Sequence, residues 1–156
     1  MRILVVSDTH ADVYNFETVL NKHIDLDVIV HCGDGAADVA RMKELYPRKM
    51  FISVKGNCDW CCDSPNIETI TLEGNKLFVT HGHIYDAKSS LLRLSLAAKE
   101  ADAKLVLFGH THIPLDVYED GVYFLNPGSL KGYKGSYAVV NLSEQGVLSN
   151  LLTLDA

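Results

Sequence analysis

The chain has 156 residues, 47% of them hydrophobic and 22% charged, with a formal net charge of −6. These values exclude a disordered chain and predict one domain over residues 1–156, long enough to bury roughly 70% of its unfolded surface. With 14 basic against 20 acidic residues there is little material for a basic stripe, so no stable nucleic-acid complex is expected.

The first apolar run, Ile3 to Val6, is too short for a signal peptide or a membrane span, and no later segment looks transmembrane. Four cysteines without a secretion signal point to a reducing, cytoplasmic setting with no membrane partner. In chain order, Ile3–Ser7 reads as a strand and Asn15–Lys22 as a helix entered through a polar loop. Val28–His31 is the next strand, Ala36–Leu45 a helix that Pro47 helps to close, and Met50–Val54 a third strand. Glu68–Leu72 and Lys76–Thr80 flank Glu73-Gly74-Asn75, a hairpin signature. Ser89–Ala101 predicts a helix with Leu91, Leu92, Leu94 and Leu96 mostly on one broad face, and Asp86 or Ser89 is its candidate cap.

After the strand Lys104–Phe108 the pattern changes. Val117–Tyr118, Val122–Leu125, Tyr137–Leu142 and Val147–Leu154 read as an antiparallel series, with turns at Glu119-Asp120-Gly121 and Glu144-Gln145-Gly146. Strand–helix alternation followed by hairpins predicts a mixed α/β domain of two packed sheets flanked by helices.

Five of the apolar runs stop on groups that can bind a metal. Ile3–Ser7 leads to Asp8-Thr9-His10, Val28–His31 to Gly33-Asp34, and Met50–Val54 to Gly56-Asn57. Lys76–Thr80 leads to His81, and Lys104–Phe108 to Gly109-His110-Thr111-His112. Taken singly, an Asp-x-His is ordinarily a loop cap with a surface histidine, and Gly-Asp or Gly-Asn a turn. Taken together they suggest one rim, because ligand sites form where the carboxyl ends of strands converge. Two carboxylates, one amide oxygen and four imidazoles make a mixed N/O set without thiolate. That set suits Mn²⁺, Fe, Ni²⁺ or Zn²⁺ and holds too many ligands for one such ion, but enough for two if a carboxylate bridges. Paired ions clamp the oxygens of an in-line displacement, which makes phosphate ester hydrolysis the natural reaction.

Asp8-x-His10, Gly33-Asp34, Gly56-Asn57-x-Asp59, His81 and Gly109-His110-Thr111-His112 resemble, in order, the calcineurin-like metallophosphoesterases. The short length and Asn126-Pro127-Gly128-Ser129 look most like the small prokaryotic YfcE-type phosphodiesterase branch. The resemblance implies a four-layer αββα sandwich with two mixed sheets. It implies one metal on Asp8, His10 and His112, a second on Asn57, His81 and His110, and Asp34 bridging both. Hydroxide between two divalent ions, manganese first among the candidates, would then attack a small phosphodiester substrate. Asp34, Asn57, His110 and His83 are the candidate catalytic residues on this view. Many relatives carry a proton-donating His directly after the Asn; here that position is Cys58, a poor substitute near neutral pH. His83 is the candidate replacement donor or substrate contact.

Phosphomonoesterase activity on a small metabolite is the second reading. A third is a non-catalytic interaction scaffold of the same fold, as in the retromer subunit that resembles these enzymes. A redox or zinc-binding Cys58-x-x-Cys61 pair is a fourth, although no second cysteine pair lies nearby. Among other residues, His23 ends a helix and suits a surface or dipole-complementing role, and His31 suits a hydrogen-bonded core position. Gly128 to Gly135 reads either as a phosphate-facing loop carrying Lys131 or as a flexible one, and Trp60 as a core anchor or a pocket wall. The abundance of two-fold assemblies makes a homodimer the expectation for its oligomeric state.

Overall fold

The computed structural model describes residues 1–155. Its first half alternates strand and helix: β1 (Arg2–Val6), α1 (Val13–Lys22), β2 (Val28–His31), α2 (Ala36–Leu45) and β3 (Met50–Ser53). The hairpin β4 (Ile67–Leu72) and β5 (Asn75–Thr80) follows, then a 3₁₀ turn at His83–Tyr85, α3 (Leu92–Glu100) and β6 (Leu105–Leu107). Two more hairpins complete the chain: β7 (Leu115–Glu119) with β8 (Val122–Asn126), and β9 (Ser136–Ser143) with β10 (Gly146–Thr153). Among the described residues no helix is long and apolar enough to cross a membrane.

The strands form two mixed five-stranded sheets, ordered β10-β9-β1-β2-β3 and β4-β5-β6-β8-β7. β1, β2 and β3 run parallel in one sheet, and β5 and β6 run parallel in the other. The last two hairpins are therefore not one antiparallel series, as the sequence had suggested. β7 and β8 extend the second sheet, with β8 parallel to β6, whereas β9 crosses to the first and pairs antiparallel with β1. Short turns identify a hairpin locally, but the strand beside it is chosen by packing over a long sequence separation.

The burial pattern of β1 shows why four layers form. Alternate residues of a strand face opposite sides, and both sides are covered here. Ile3 and Val5 join Val30, Leu77, Val79, Leu105 and Leu107 in the core between the sheets. Leu4 and Val6 face the other way, onto Phe16, Val19 and Leu20 of α1 and Met42 of α2. On the far side of the second sheet, Val106, Phe108 and Phe124 pack under Leu94 and Ala98 of α3. The result is the αββα sandwich with three apolar layers, in which each fully buried Leu, Ile or Val contributes roughly 1.5–3 kcal/mol.

Helix α1 starts at Asp12, whose side chain accepts from the Asn15 N–H at 3.1 Å. Helix α3 departs from its expected form in two ways. It begins at Leu92 without a side-chain cap; Asp86 instead accepts from the Ser89 hydroxyl in the turn before it. Only Leu94 of the four leucines is fully buried, with Leu91 partly so, while Leu92 is 66% and Leu96 59% exposed. The stripe against the sheet is Leu91, Leu94, Ala98 and Ala101, spaced three and four apart, and the small alanines rather than Leu96 let the helix approach.

Candidate metal centre

Because β1, β2 and β3 are parallel, as are β5 and β6, the loops after them open on one rim of the sandwich. The rim is tied across the sheets. His81 Nδ1 lies 2.7 Å from the Cys32 carbonyl and the His110 N–H donates to Asp8 Oδ2 at 3.1 Å, while within the second sheet Gly109 N–H donates to the His81 carbonyl. The turns are sharp. Asp8, His10, Asp34, His110 and His112 all have positive φ, between 45° and 68°. That conformation is uncommon for side chains bearing a Cβ and accumulates at functional sites.

Asp8 is at the centre. It is fully buried, its Oδ2 accepts from the Ser7 hydroxyl at 2.6 Å, and its Oδ1 has no hydrogen-bond partner. The Nε2 atoms of His112, His10 and His81 lie 3.0, 3.7 and 3.9 Å from that oxygen. His10 and His112 bring their Nε2 atoms within 3.3 Å of each other. Asp34 Oδ2 lies 3.3 Å from His81 Nε2 and 3.8 Å from His10 Nε2, so it faces both neighbouring clusters. Asn57 Oδ1 approaches His81 Nε2 at 3.1 Å.

Ligand atoms of Asp8, His10 and His112 all lie within 4.8 Å of one another, as do those of Asp8, Asp34 and His81. His110 stands outside these groups, with its ring centroid 5.0 Å from that of His81. His83 is 5.4 Å from His81 and 6.1 Å from His110, and its Nδ1 is buried without a partner. Cys58 brings its thiol within 4.8 Å of His10 and Asp34 ligand atoms. An inaccessible carboxylate oxygen with no proton donor, faced by three imidazoles, is a donor set that fits divalent cations.

Burial alone would raise the Asp34 carboxyl, but hydrogen bonds from His81 and the Cys58 N–H hold it well below the usual carboxylate range. Burial opposes protonation of His81, yet its bond to Asp34 and the Asp8 and Asp34 charges win and raise its pKa. His110 is pushed down to about 4 by burial, then by the charges of His81 and Lys88. Burial and His81 also lower His83, while burial and Asp34 raise the Cys58 thiol.

The residues that shape this rim include several given no role in the sequence reading. Asp59 is the main one. Its Oδ2 accepts from the Asp34 and Gly56 amides, both at 2.8 Å, and its Oδ1 from Gly35 at 3.1 Å and Ala36 at 2.9 Å. One carboxylate thus fastens the Gly33-Asp34 loop to the Gly56-Asn57 loop. Beneath the first loop, His31 Nδ1 accepts from Gly33 N–H at 3.1 Å, so its Nε2 carries the proton toward Thr9 Oγ1, also at 3.1 Å. The Thr9 hydroxyl donates to Asp38, which also accepts from Ala11 N–H. His31 is the expected hydrogen-bonded core histidine. Its position in VIVH, where strand alternation is lost, is the only sequence signal for this network.

Close packing accounts for three glycines. A Cβ on Gly56 would sit 2.0 Å from Asp34 Oδ1, and one on Gly109 2.0 Å from Ser7 Oγ and 2.6 Å from Asp8 Oδ2. A Cβ on Gly35 would meet Thr9 Oγ1 at 2.0 Å and His31 Nε2 at 2.7 Å.

Three minor expectations change. Trp60 is 88% exposed, so it anchors no core. In the glycine-rich loop, the amides of Leu130, Lys131, Gly132 and Ser136 bind Ser7, Ser129, Asp12 and Ser129 respectively, and so do not present themselves to a phosphate. His23 caps α1 but sits against the Tyr137 hydroxyl at 3.1 Å, where burial and Lys22 lower its pKa and disfavour the dipole-complementing cation.

Comparison with known proteins identifies the family. Residues 1–145 match the model of the calcineurin-like phosphoesterase superfamily domain. The chain is 33% identical over 147 residues to the probable metallophosphoesterase YsnB of Bacillus subtilis, covering 91% of this chain and 85% of that one. It is 28% identical over 174 residues to the phosphodiesterase YfcE of Escherichia coli K12, covering 96% and 88%. Among solved structures, Vps29 of Entamoeba histolytica complexed with Zn²⁺ superposes with a TM-score of 0.79 at 21% identity, over 99% of this chain and 93% of that one. The last likeness is one of fold.

Proposed function

The chain belongs to the calcineurin-like phosphoesterase superfamily, and from that premise we propose that it is a binuclear metal-dependent phosphodiesterase acting on a small diester. The observation that carries this reading is Asp8 Oδ1, buried without a hydrogen-bond partner and faced by the Nε2 atoms of His10, His81 and His112. A lone buried carboxylate oxygen is costly unless a cation completes it. One ion is assigned to Asp8, His10 and His112, the second to Asn57, His81 and His110, with Asp34 between them. Manganese is the first candidate and Fe, Ni²⁺ or Zn²⁺ the others. When bound, the ions supply the positive charge that holds a phosphate and the activated water that attacks it.

The chain's own residues set the geometry. Asp59 holds the Asp34 and Asn57 loops together, Gly56 and Gly109 leave room for the Asp34 and Asp8 carboxylates, and His81 is oriented by its contact with the Cys32 carbonyl. Cys58 supplies no imidazolium for the leaving group, so diesters with good leaving groups are the favoured substrates. His83, beside His81 and His110 with a buried partnerless Nδ1, is our candidate for a substrate contact or replacement proton donor.

Phosphomonoesterase activity and a scaffolding role are the competing readings. Every ligand position keeps a residue able to coordinate, which favours catalysis over scaffolding. The test compares hydrolysis of bis-p-nitrophenyl phosphate and p-nitrophenyl phosphate with and without Mn²⁺, in wild type and Asp34→Asn. Metal-dependent diester cleavage, lost in the variant, is expected. Preferential cleavage of the monoester would replace the diester reading, and inactivity with every divalent ion despite bound metal would point to a scaffold.

A further inference from the structure

Beside the histidine pair of the last rim loop lies an apolar groove of about 550 Å³, floored by Phe108 and Ala87 and walled by Leu91, Ile113 and Leu115. Its lining reaches Thr111, the residue between His110 and His112 on the last rim loop. Ile113 projects into this region 68% exposed, a large apolar side chain with little cover. Lys88 is an exposed member of the same lining.

We propose that this groove is a substrate subsite that receives a flat aromatic ester group of the diester. The inference rests on the phosphodiesterase reading and narrows its substrate class. A phosphate at the rim is held by charge, but its ester arms must lie somewhere. On the His110 side the surface offered to an arm is apolar, which favours a ring over a small or strongly hydrated group. The groove excludes nothing by shape alone; it discriminates by the apolar area an arm can bury. At roughly a fourfold gain in affinity per buried methylene equivalent, a phenyl arm lying only partly in the groove gains about tenfold or more over a methyl arm.

The test is equilibrium binding of two slowly hydrolysed probes, dimethyl phosphate and diphenyl phosphate, to the Mn²⁺-loaded protein by calorimetry. Wild type should bind diphenyl phosphate about tenfold or more tightly than dimethyl phosphate. Ile113→Ser and Ser90→Trp alter the wall and fill the groove without adding charge or touching a ligand, since Ile113 contacts Thr111 through its main chain. Both should erase the diphenyl preference and leave dimethyl phosphate binding unchanged. Equal affinity for the two probes in wild type, or a preference that survives both groove variants, overturns the subsite alone. Failure of both probes to bind a protein that holds Mn²⁺ overturns the diester reading beneath it.

Discussion

Replacing Asp59 with Asn removes a negative charge and half of a hydrogen-bond acceptor set without changing size. In the folded chain the two carboxylate oxygens each accept two backbone N–H groups, Asp34 and Gly56 on one, Gly35 and Ala36 on the other, at 2.8 to 3.1 Å. An amide can keep one of these pairs and turns its own donors toward the second. Two hydrogen bonds to a charged group are then lost, at about 1.5–3 kcal/mol each, giving roughly 3–6 kcal/mol of destabilisation. That is a large share of the stability of a domain this size. Urea unfolding of the metal-free protein measures it, with Asp63→Asn, on the same loop but outside this network, as the control near zero. The loop that carries Asn57 should loosen as well, so Mn²⁺ affinity should fall roughly ten- to a hundredfold. A midpoint shift worth under 1 kcal/mol with unchanged metal affinity would refute Asp59 as the fastener of the two loops.

Gly56→Ala, whose Cβ would lie 2.0 Å from Asp34 Oδ1, should cost roughly 1–3 kcal/mol in stability and lower Mn²⁺ affinity in calorimetry; unchanged affinity would show that Asp34 can move freely. Burial pushes His31 down to about 4 from an ordinary 6.5, so between those values the unfolded state binds more protons and stability falls as the solution is acidified. The loss from this group should reach about 3 kcal/mol by pH 4, and denaturation of His31→Gln should show a correspondingly shallower pH slope; parallel slopes would contradict the buried neutral imidazole. Leu94→Ala should cost about 2–5 kcal/mol, while Leu92→Glu and Leu96→Glu should stay within about 0.5 kcal/mol, as thermal unfolding can establish. Equal costs for all three would restore the broad leucine face that the sequence suggested.

The rim was legible in the sequence because each parallel strand announces itself as a run of branched apolar residues and stops abruptly on a polar group. Asp8, Asp34 and His81 follow such runs, and the parallel pairing of β1, β2 and β3 brings the first two together. Helix α3 was legible as an element but not by face, since four leucines look alike and only the sheet beneath selects Leu94. The roles of Asp59 and Asp38 were hidden for a related reason. Their partners are backbone amides and a threonine from distant loops, and an amide leaves no mark on residue type. The neighbours of β8 and β9 depended likewise on contacts far apart in sequence.

The central claim is a pair of metal ions sharing Asp34, and anomalous diffraction from crystals soaked in Mn²⁺ tests it most directly. Two peaks should appear roughly 3.5–4 Å apart, one against Asp8, His10 and His112 and the other against Asn57, His81 and His110. A single peak, or two that do not both touch Asp34, would contradict the account.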